Sequence, residues 1–193
     1  MQGIKLILLH DVFCPIYTVS SGLTARVVRA EVKRGERVLD LGTGSGLQAI
    51  IAALNGARVI ATDINPQALR CARINALING VGDRIIFKLG DLFDPVEGES
   101  FNLIVFTPPY LWGLPRNIRE RGWFYGEGGL LLKFLSEAKE YLRPGGRILL
   151  TYSTIADESL LKHGLRLYGW HSTIMASRNT PLERIYVLKL IRR

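Results

Sequence analysis

The sequence has 193 residues, of which 48% are hydrophobic and 22% are charged. This length and composition predict one globular domain with a sizeable core. The longest apolar runs are far shorter than the ~20 residues that a transmembrane helix needs. The short apolar run near the N-terminus also lacks a small-residue cleavage site. We therefore expect neither a transmembrane helix nor a signal peptide.

The formal net charge of +8 is unevenly distributed along the chain. Residues 1–100 carry 11 basic and 10 acidic side chains, whereas residues 101–193 carry 14 and 7. The basic second half predicts either an anionic or ribosome-associated partner or a solvated basic surface.

The two cysteines, Cys14 and Cys71, have no CxxC spacing. We therefore expect a reduced, cytoplasmic protein without a metal site.

Strand-like and helix-like segments alternate along the chain, which predicts an α/β fold with a mostly parallel sheet. Ser20 or Ser21 is expected to cap the first helix, and the last two strands are expected to form an antiparallel hairpin at a sheet edge. In chain order we predict a helix over 22–32, a strand over 37–41, a helix over 47–55, a strand over 58–62, a helix over 66–79, strands over 84–89 and 101–106, a loop over 111–125, a helix over 127–142 that Pro144-Gly-Gly146 ends, a strand over 147–152, a helix over 159–168 and strands over 173–177 and 184–191.

The strongest functional signal is the segment Leu39-Asp-Leu-Gly-Thr-Gly-Ser-Gly46. In it a predicted strand enters a turn of alternating glycines, and a helix follows. Glycine suits such a turn because a Cβ would block the close approach of a ligand to the backbone. Alone, this pattern is also compatible with a dinucleotide site.

Three aspartates lie at the carboxyl ends of three neighbouring predicted strands, where open α/β sheets bind their ligands. Asp40 precedes the glycine turn and suits a cationic ligand such as the amino group of S-adenosylmethionine. Asp63 suits the two ribose hydroxyls, and Asp91 suits the adenine amino group, with Leu92 against the ring. Each aspartate alone could equally cap a turn, but the three together with the glycines favour one shared nucleoside site.

With these features the chain resembles the seven-stranded class I methyltransferases over nearly its whole length. The resemblance implies strand order 3-2-1-4-5-7-6 with strand 7 antiparallel, S-adenosyl-L-methionine as cofactor and one domain over residues 1–193. Residues 1–35 would form an N-terminal cofactor-covering segment and helix, and residues 36–193 a Rossmann-like core. The predicted cofactor-binding residues are Asp40, Gly42, Thr43, Gly44, Ser45, Gly46, Asp63, Ile64, Asn65, Asp91, Leu92 and Thr107.

More narrowly, the chain is similar to the HemK-type glutamine methyltransferases, and most to their short archaeal and eukaryotic branch. Thr107-Pro-Pro-Tyr110 stands where that family has Asn-Pro-Pro-Tyr. Asp11-Val-Phe-Cys-Pro15 keeps the valine, aromatic residue and proline of its N-terminal motif, but acidic residues are missing from positions 16–20. The other matching segments are Gly126-Glu-Gly-Gly129, Arg143-Pro-Gly-Gly146, Ser177-Arg178 and Glu183-Arg-Ile-Tyr-Val-Leu-Lys189.

The proline motif suits transfer to a planar amine-type nitrogen, whose lone pair is delocalised. Acceptors for both N–H groups would orient that nitrogen towards the methyl donor, and no strong base is required. Pro108 offers a carbonyl on a rigid backbone, Thr107 a hydroxyl acceptor and Tyr110 a ring to stack on the target. Pro109 completes this predicted catalytic set.

Several functions fit this sequence. The resemblance implies methylation of a release-factor glutamine in a Gly-Gly-Gln loop, with a small zinc-ribbon activator subunit as partner. An RNA or DNA exocyclic-amine methyltransferase is the main alternative, because the second half is basic and the loop over 111–125 is rich in Trp and Arg. A non-catalytic cofactor-binding subunit and a small-molecule methyltransferase are the remaining alternatives. Fold alone does not choose between them.

Overall fold

The structure is a computed structural model, and it describes residues 3–12, 18–109, 113, 116 and 129–192. One seven-stranded sheet runs through these residues, with helices between the strands. The strands are β1 (Arg37–Leu41), β2 (Arg58–Asp63), β3 (Ile85–Leu89), β4 (Phe101–Phe106), β5 (Leu142–Ser153), β6 (Trp170–Asn179) and β7 (Arg184–Arg192), and the helices are α1 (Val19–Glu31), α2 (Leu47–Leu54), α3 (Pro66–Ile78), α4 (Gly129–Glu137) and α5 (Glu158–Leu167).

The strand order is β3-β2-β1-β4-β5-β7-β6. The pairs among β1 to β5 are parallel, whereas β7 is antiparallel to both of its neighbours. This topology confirms the predicted α/β seven-stranded fold and its closing hairpin. Parallel strands end at the same edge of a sheet, so the segments that follow β1 to β4 are brought side by side there.

Apolar clusters cover both faces of the sheet, as buried parallel strands require. Successive strand residues contribute to opposite clusters, because side chains alternate across a strand. Leu39 and Ile104 pack with the residues of α4 and α5, while Val38 and Leu103 pack with those of α1 and α2. This two-sided core fixes the register of the central strands.

None of the helices that the structure describes is long and apolar enough to cross a membrane.

The first helix begins earlier than the sequence predicts. α1 starts at Val19 with Thr18 as the N-cap residue, so the prediction of Ser20 or Ser21 as the cap was wrong. Thr18 Oγ1 donates to Ser21 Oγ at 2.8 Å, and the Ser20 carbonyl accepts from Thr24 Oγ1 at 2.8 Å within the helix. Within the first turns, Ser21 accepts through its side chain and Ser20 through its backbone carbonyl, and neither side chain caps the helix.

The segment that contains Pro144-Gly-Gly146 is part of a strand, so its prediction as a helix end was also wrong. α4 ends at Glu137 and β5 begins at Leu142. Phe101 pairs with Leu142 and Leu103 pairs with Arg147, so four residues of β5 bulge out opposite one residue of β4. Glycine suits this bulge, since Gly145 has φ +71°. The predicted helix start at residue 127 and most of the loop over 111–125 lie outside the described residues.

Candidate active site

The turn between β1 and α2 has a backbone that only glycine adopts readily. Gly42, Gly44 and Gly46 have φ of 64°, 54° and 85°, in the left-handed region that a Cβ disfavours. The N–H of Thr43 donates to the Thr62 carbonyl at 2.9 Å, which extends the pairing of β1 with β2 into the turn. The glycine pattern found in the sequence is therefore a requirement of backbone conformation.

Two of these glycines face different surroundings. A Cβ on Gly46 would lie 2.9 Å from the Cβ of Ala72, so this glycine allows α3 to pack closely against the turn. A Cβ on Gly44 would meet no heavy atom of the described residues within 4 Å. The turn thus packs against α3 at one glycine and faces open space at another, as a ligand cradle requires.

Asp40 lies under this turn and is only 3% exposed. Its Oδ2 accepts from Thr43 Oγ1 at 2.6 Å and from the Ala49 N–H at 3.1 Å. Burial, together with a smaller effect of the nearby Asp63 carboxylate, raises the pKa of Asp40 to about 7, although these hydrogen bonds oppose the shift. A neighbouring cation would favour the ionised form of this carboxyl.

Asp63 is the last residue of β2, and its carboxylate is hydrogen-bonded to the backbone of the glycine turn. Its Oδ2 accepts from the Gly44 N–H at 2.9 Å, and its Oδ1 accepts from the Asn65 N–H at 2.9 Å. Burial raises the pKa of Asp63 even though these N–H groups oppose the shift. Asn65 in turn caps α3, with its Oδ1 accepting from the Gln67 N–H at 2.9 Å. Ile64 lies half-buried between them.

Asp91 and Leu92 follow β3 at the same sheet edge. The Gly90 N–H donates to the Asp63 carbonyl at 3.1 Å, which brings this segment beside the end of β2. Leu92 is buried and has φ 39°, a strained value for a residue with a Cβ. Such strain is often found at ligand sites. Asp91 is half-buried beside it.

Thr107, Pro108 and Pro109 follow β4, which pairs with β1. Leu41 pairs with Phe106, so the proline motif leaves the sheet next to the glycine turn. Pro108 is buried, while Thr107 and Pro109 are half-buried. Tyr110 lies outside the described residues. The structure therefore brings the proline motif next to the end of β1, at the same sheet edge as the three aspartates.

Two polar residues near the turn were not predicted from the sequence. Gln48, in the first turn of α2, donates from Nε2 to the Ser21 carbonyl at 3.1 Å. Its Oε1 is buried without a hydrogen-bond partner in the described part of the chain. Asn75 of α3 is fully buried and donates to the Ser45 carbonyl at 2.9 Å. For Asn75 the signal was a polar residue at a position where helical periodicity predicts an apolar one. For Gln48 it was a single polar residue in an otherwise apolar helix.

The family described as methyltransferase small domain matches residues 4–168 of this sequence. The chain belongs to this family. It is an S-adenosyl-L-methionine-dependent methyltransferase with the class I fold, and its resemblance to the HemK type is confirmed by its relatives.

Three curated relatives are similar to this methyltransferase. One from Methanocaldococcus jannaschii, provisionally named a protein N5-glutamine methyltransferase, is 32% identical over 97% of this chain and 95% of its own length. A tRNA1(Val) (adenine(37)-N6)-methyltransferase from Porphyromonas gingivalis is 35% identical over 78% of this chain and 60% of its own. A release factor glutamine methyltransferase from Deinococcus radiodurans is 37% identical over 75% and 55%. The chain therefore spans little more than half of the two bacterial relatives.

A solved structure supports the same fold. The ribosomal protein L11 methylase from Lactobacillus delbrueckii subsp. bulgaricus matches with a TM-score of 0.75 and 22% identity, over 98% of this methyltransferase and 85% of that chain.

The residues at the sheet edge fit S-adenosyl-L-methionine chemically. The space above Gly44 admits a ligand against the backbone. Asp40 has a carboxyl whose ionised form a cation would favour, and Gln48 has a buried amide oxygen without a partner among the described residues. A cationic amino-acid nucleoside can satisfy both groups.

Proposed function

We propose that this methyltransferase transfers a methyl group to the side-chain amide nitrogen of a protein glutamine, of the kind found in the Gly-Gly-Gln loop of a release factor. One structural observation carries the proposal: the Thr107-Pro-Pro segment leaves β4 directly beside the glycine turn. The M. jannaschii and D. radiodurans relatives, which are named for glutamine methylation, support this substrate class.

In this proposal the cofactor lies across the ends of β1, β2 and β3. Asp40 balances the positive charge of the amino-acid part, and the glycine turn lets that part approach the backbone. Asp63 accepts from the ribose hydroxyls with the lone pairs that its two backbone bonds leave over. Asp91 accepts from the adenine amino group, with Leu92 against the ring. The other contacting residues proposed are Gly42, Thr43, Gly44, Ser45, Gly46, Ile64, Asn65 and Thr107.

The proline motif would orient the target amide. S-adenosyl-L-methionine supplies an electrophilic methyl group, so the protein needs only to position the nitrogen. The Thr107 hydroxyl and the Pro108 carbonyl accept one N–H each, and Tyr110 stacks on the amide plane. A nitrogen–carbon bond forms as the sulfur–carbon bond breaks, and the nitrogen then releases one proton to water.

The direct test is incubation of the methyltransferase with methyl-labelled S-adenosyl-L-methionine and the cognate release factor. We expect label on the factor, located at the glutamine of the Gly-Gly-Gln loop by peptide mass spectrometry. A factor in which alanine replaces that glutamine is the matched control and should stay unlabelled. Absence of label on the wild-type factor, with and without an activator subunit, would reject the glutamine proposal.

A second candidate is methylation of an exocyclic amine in RNA or DNA. The P. gingivalis relative is named for adenine methylation in a tRNA, and residues 101–193 have 14 basic against 7 acidic side chains. Transfer of label to total tRNA, together with a steep fall of RNA affinity as salt rises, would favour this candidate.

We further propose that a small zinc-ribbon activator subunit covers the β3 edge of the sheet. β3 has no partner on its outer side in the described sheet. Ile86 and Leu89 of this strand are 59% and 57% exposed, and Leu77 on the neighbouring α3 is 72% exposed. Exposed large apolar side chains at an unpaired strand edge are typical of a protein interface. Co-expression that yields a stable heterodimer, lost on Ile86→Lys, is the expected result.

We also propose that two segments of the domain have different roles. Residues 1–35 would cover the cofactor and residues 36–193 would form the Rossmann-like core that binds it.

A further inference from the structure

Residues 3–12, here called the N-terminal strap, bond to the amide side chains of Asn75 in α3 and of Asn79, the residue that caps this helix, as a strand bonds to a partner. The Lys5 N–H donates to Asn79 Oδ1 at 3.1 Å, and Asn79 Nδ2 donates to the Lys5 carbonyl at 2.7 Å. The Ile7 N–H donates to Asn75 Oδ1 at 2.7 Å, and Asn75 Nδ2 donates to the Ile7 carbonyl at 2.9 Å. Each asparagine thus satisfies both backbone groups of one strap residue.

The spacing of these pairs has a simple geometric cause. Two residues of extended chain advance about 6.6–6.8 Å, and four residues of helix advance about 6.0 Å. Strap residues two apart therefore meet helix residues four apart. Two further bonds, which do not follow this spacing, join the strap nearer to the site: Cys71 Sγ donates to the Ile7 carbonyl at 3.2 Å, and Asn65 Nδ2 donates to the Asp11 carbonyl at 3.0 Å.

Asn75 is the one member of this ladder that a described hydrogen bond also joins to the glycine turn. Its Nδ2 donates to the Ser45 carbonyl at 2.9 Å as well as to Ile7, and the side chain is fully buried. An amide has two N–H donors, and here both are used. A change in the position of Ser45 must therefore alter the bond to the strap.

We infer that Asn75 is a positioning residue that couples docking of the N-terminal strap to the conformation of the glycine turn, and through it to cofactor affinity. The inference rests on the proposed position of the cofactor at this turn. Because coupling is reciprocal, binding of S-adenosyl-L-methionine must also stabilise the strap on α3. A purely structural Asn75 would change stability without changing affinity.

The coupling can be tested first at exposed residues, which leaves the core undisturbed, and then at Asn75 itself. Ile7→Pro removes the N–H that donates to Asn75, at a residue that is 47% exposed. Ile7→Ala is the matched control, since it loses the side chain and keeps the N–H. Asn79→Leu removes the outer pair, which does not touch the turn. Asn75→Leu tests the buried residue itself.

Calorimetry with S-adenosyl-L-methionine measures the effect. We expect Ile7→Pro to raise Kd about three- to tenfold, as the loss of one hydrogen bond does. Ile7→Ala should stay within about twofold of wild type on the same scale. Asn79→Leu loosens the strap without touching the turn, so its Kd should lie between those of Ile7→Ala and Ile7→Pro. Asn75→Leu should raise Kd at least as much as Ile7→Pro. With an active substrate, KM for the cofactor should rise while kcat holds.

Hydrogen exchange supplies an independent readout. The Lys5 and Ile7 amides of the wild-type protein should exchange more slowly once S-adenosyl-L-methionine is bound. Unchanged Kd for both Ile7→Pro and Asn75→Leu, or strap amides that do not respond to the cofactor, would overturn the inference. Failure of the wild-type protein to bind S-adenosyl-L-methionine would instead reject the proposed cofactor site.

Discussion

The Asp63 carboxylate accepts the Gly44 N–H at 2.9 Å, so the end of β2 fixes the turn that follows β1. The same carboxylate also binds the Asn65 N–H that opens α3. One half-buried carboxylate thus holds together two strand ends and one helix N-terminus. We propose that the nucleoside of the cofactor binds at this junction.

Asp63→Asn should weaken cofactor binding more than it weakens the fold. The new amide nitrogen cannot accept an N–H, so one backbone bond and one ribose acceptor are lost. We expect Kd for S-adenosyl-L-methionine to rise at least about tenfold by calorimetry. Asp94→Asn, at an exposed aspartate nearby, is the control and should bind as wild type. Equal affinity of the two variants would refute the ribose role.

Gly44→Ala and Gly46→Ala should separate ligand space from packing space. Both residues have positive φ, so each alanine costs about 1–2 kcal/mol of backbone strain. At position 46 the Cβ also meets Ala72 at 2.9 Å, which adds about 1–3 kcal/mol. We expect Gly46→Ala to lower Tm more, and Gly44→Ala to lose cofactor affinity while staying folded. Unimpaired binding by Gly44→Ala would show that the space above it is not used.

The buried Asp40 carboxyl should make stability depend on pH. Its pKa rises from the ordinary 3.8 to about 7 in the folded protein. At pH values between these two pKa values, Asp40 binds more protons in the folded state than in the unfolded state. Asp40 therefore contributes stability that is fully present below about pH 4 and is lost as pH rises through about 7. Urea unfolding of the cofactor-free protein should show a flatter profile over this window for Asp40→Asn. Parallel profiles would contradict the assignment.

Cofactor binding should release a proton below pH 7. The bound ammonium group favours the ionised form of Asp40, whose pKa would then fall from about 7. Calorimetry at pH 6 in buffers of different ionisation enthalpy should therefore report proton release for wild type and less for Asp40→Asn. If the heat is independent of buffer in both proteins, Asp40 does not face the cation.

Local chemistry made much of this site predictable. The glycine turn was found because positive φ leaves glycine as the preferred residue, and the strand-end aspartates because parallel strands end at one edge. The bulge at Gly145 was missed because a Pro-Gly-Gly sequence ends helices and interrupts strands equally well. Which strand it interrupts is fixed by pairing with β4, which is a long-range contact.

The role of Asn75 could not be predicted for a related reason. Its spacing of four from Cys71 and Asn79 is visible in the sequence. A helix position, however, does not tell which segment docks on it. The partner backbone at Ile7 lies 68 residues away in sequence. Contacts of this kind depend on tertiary packing, which local patterns do not encode.

The most direct measurement is a crystal structure of the protein with S-adenosylhomocysteine and a Gly-Gly-Gln peptide. We expect the ribose hydroxyls at Asp63, the adenine amino group at Asp91, and the glutamine amide between the Thr107 hydroxyl and the Pro108 carbonyl. A nucleoside bound elsewhere, with Asp40, Asp63 and Asp91 all out of contact with it, would contradict the account.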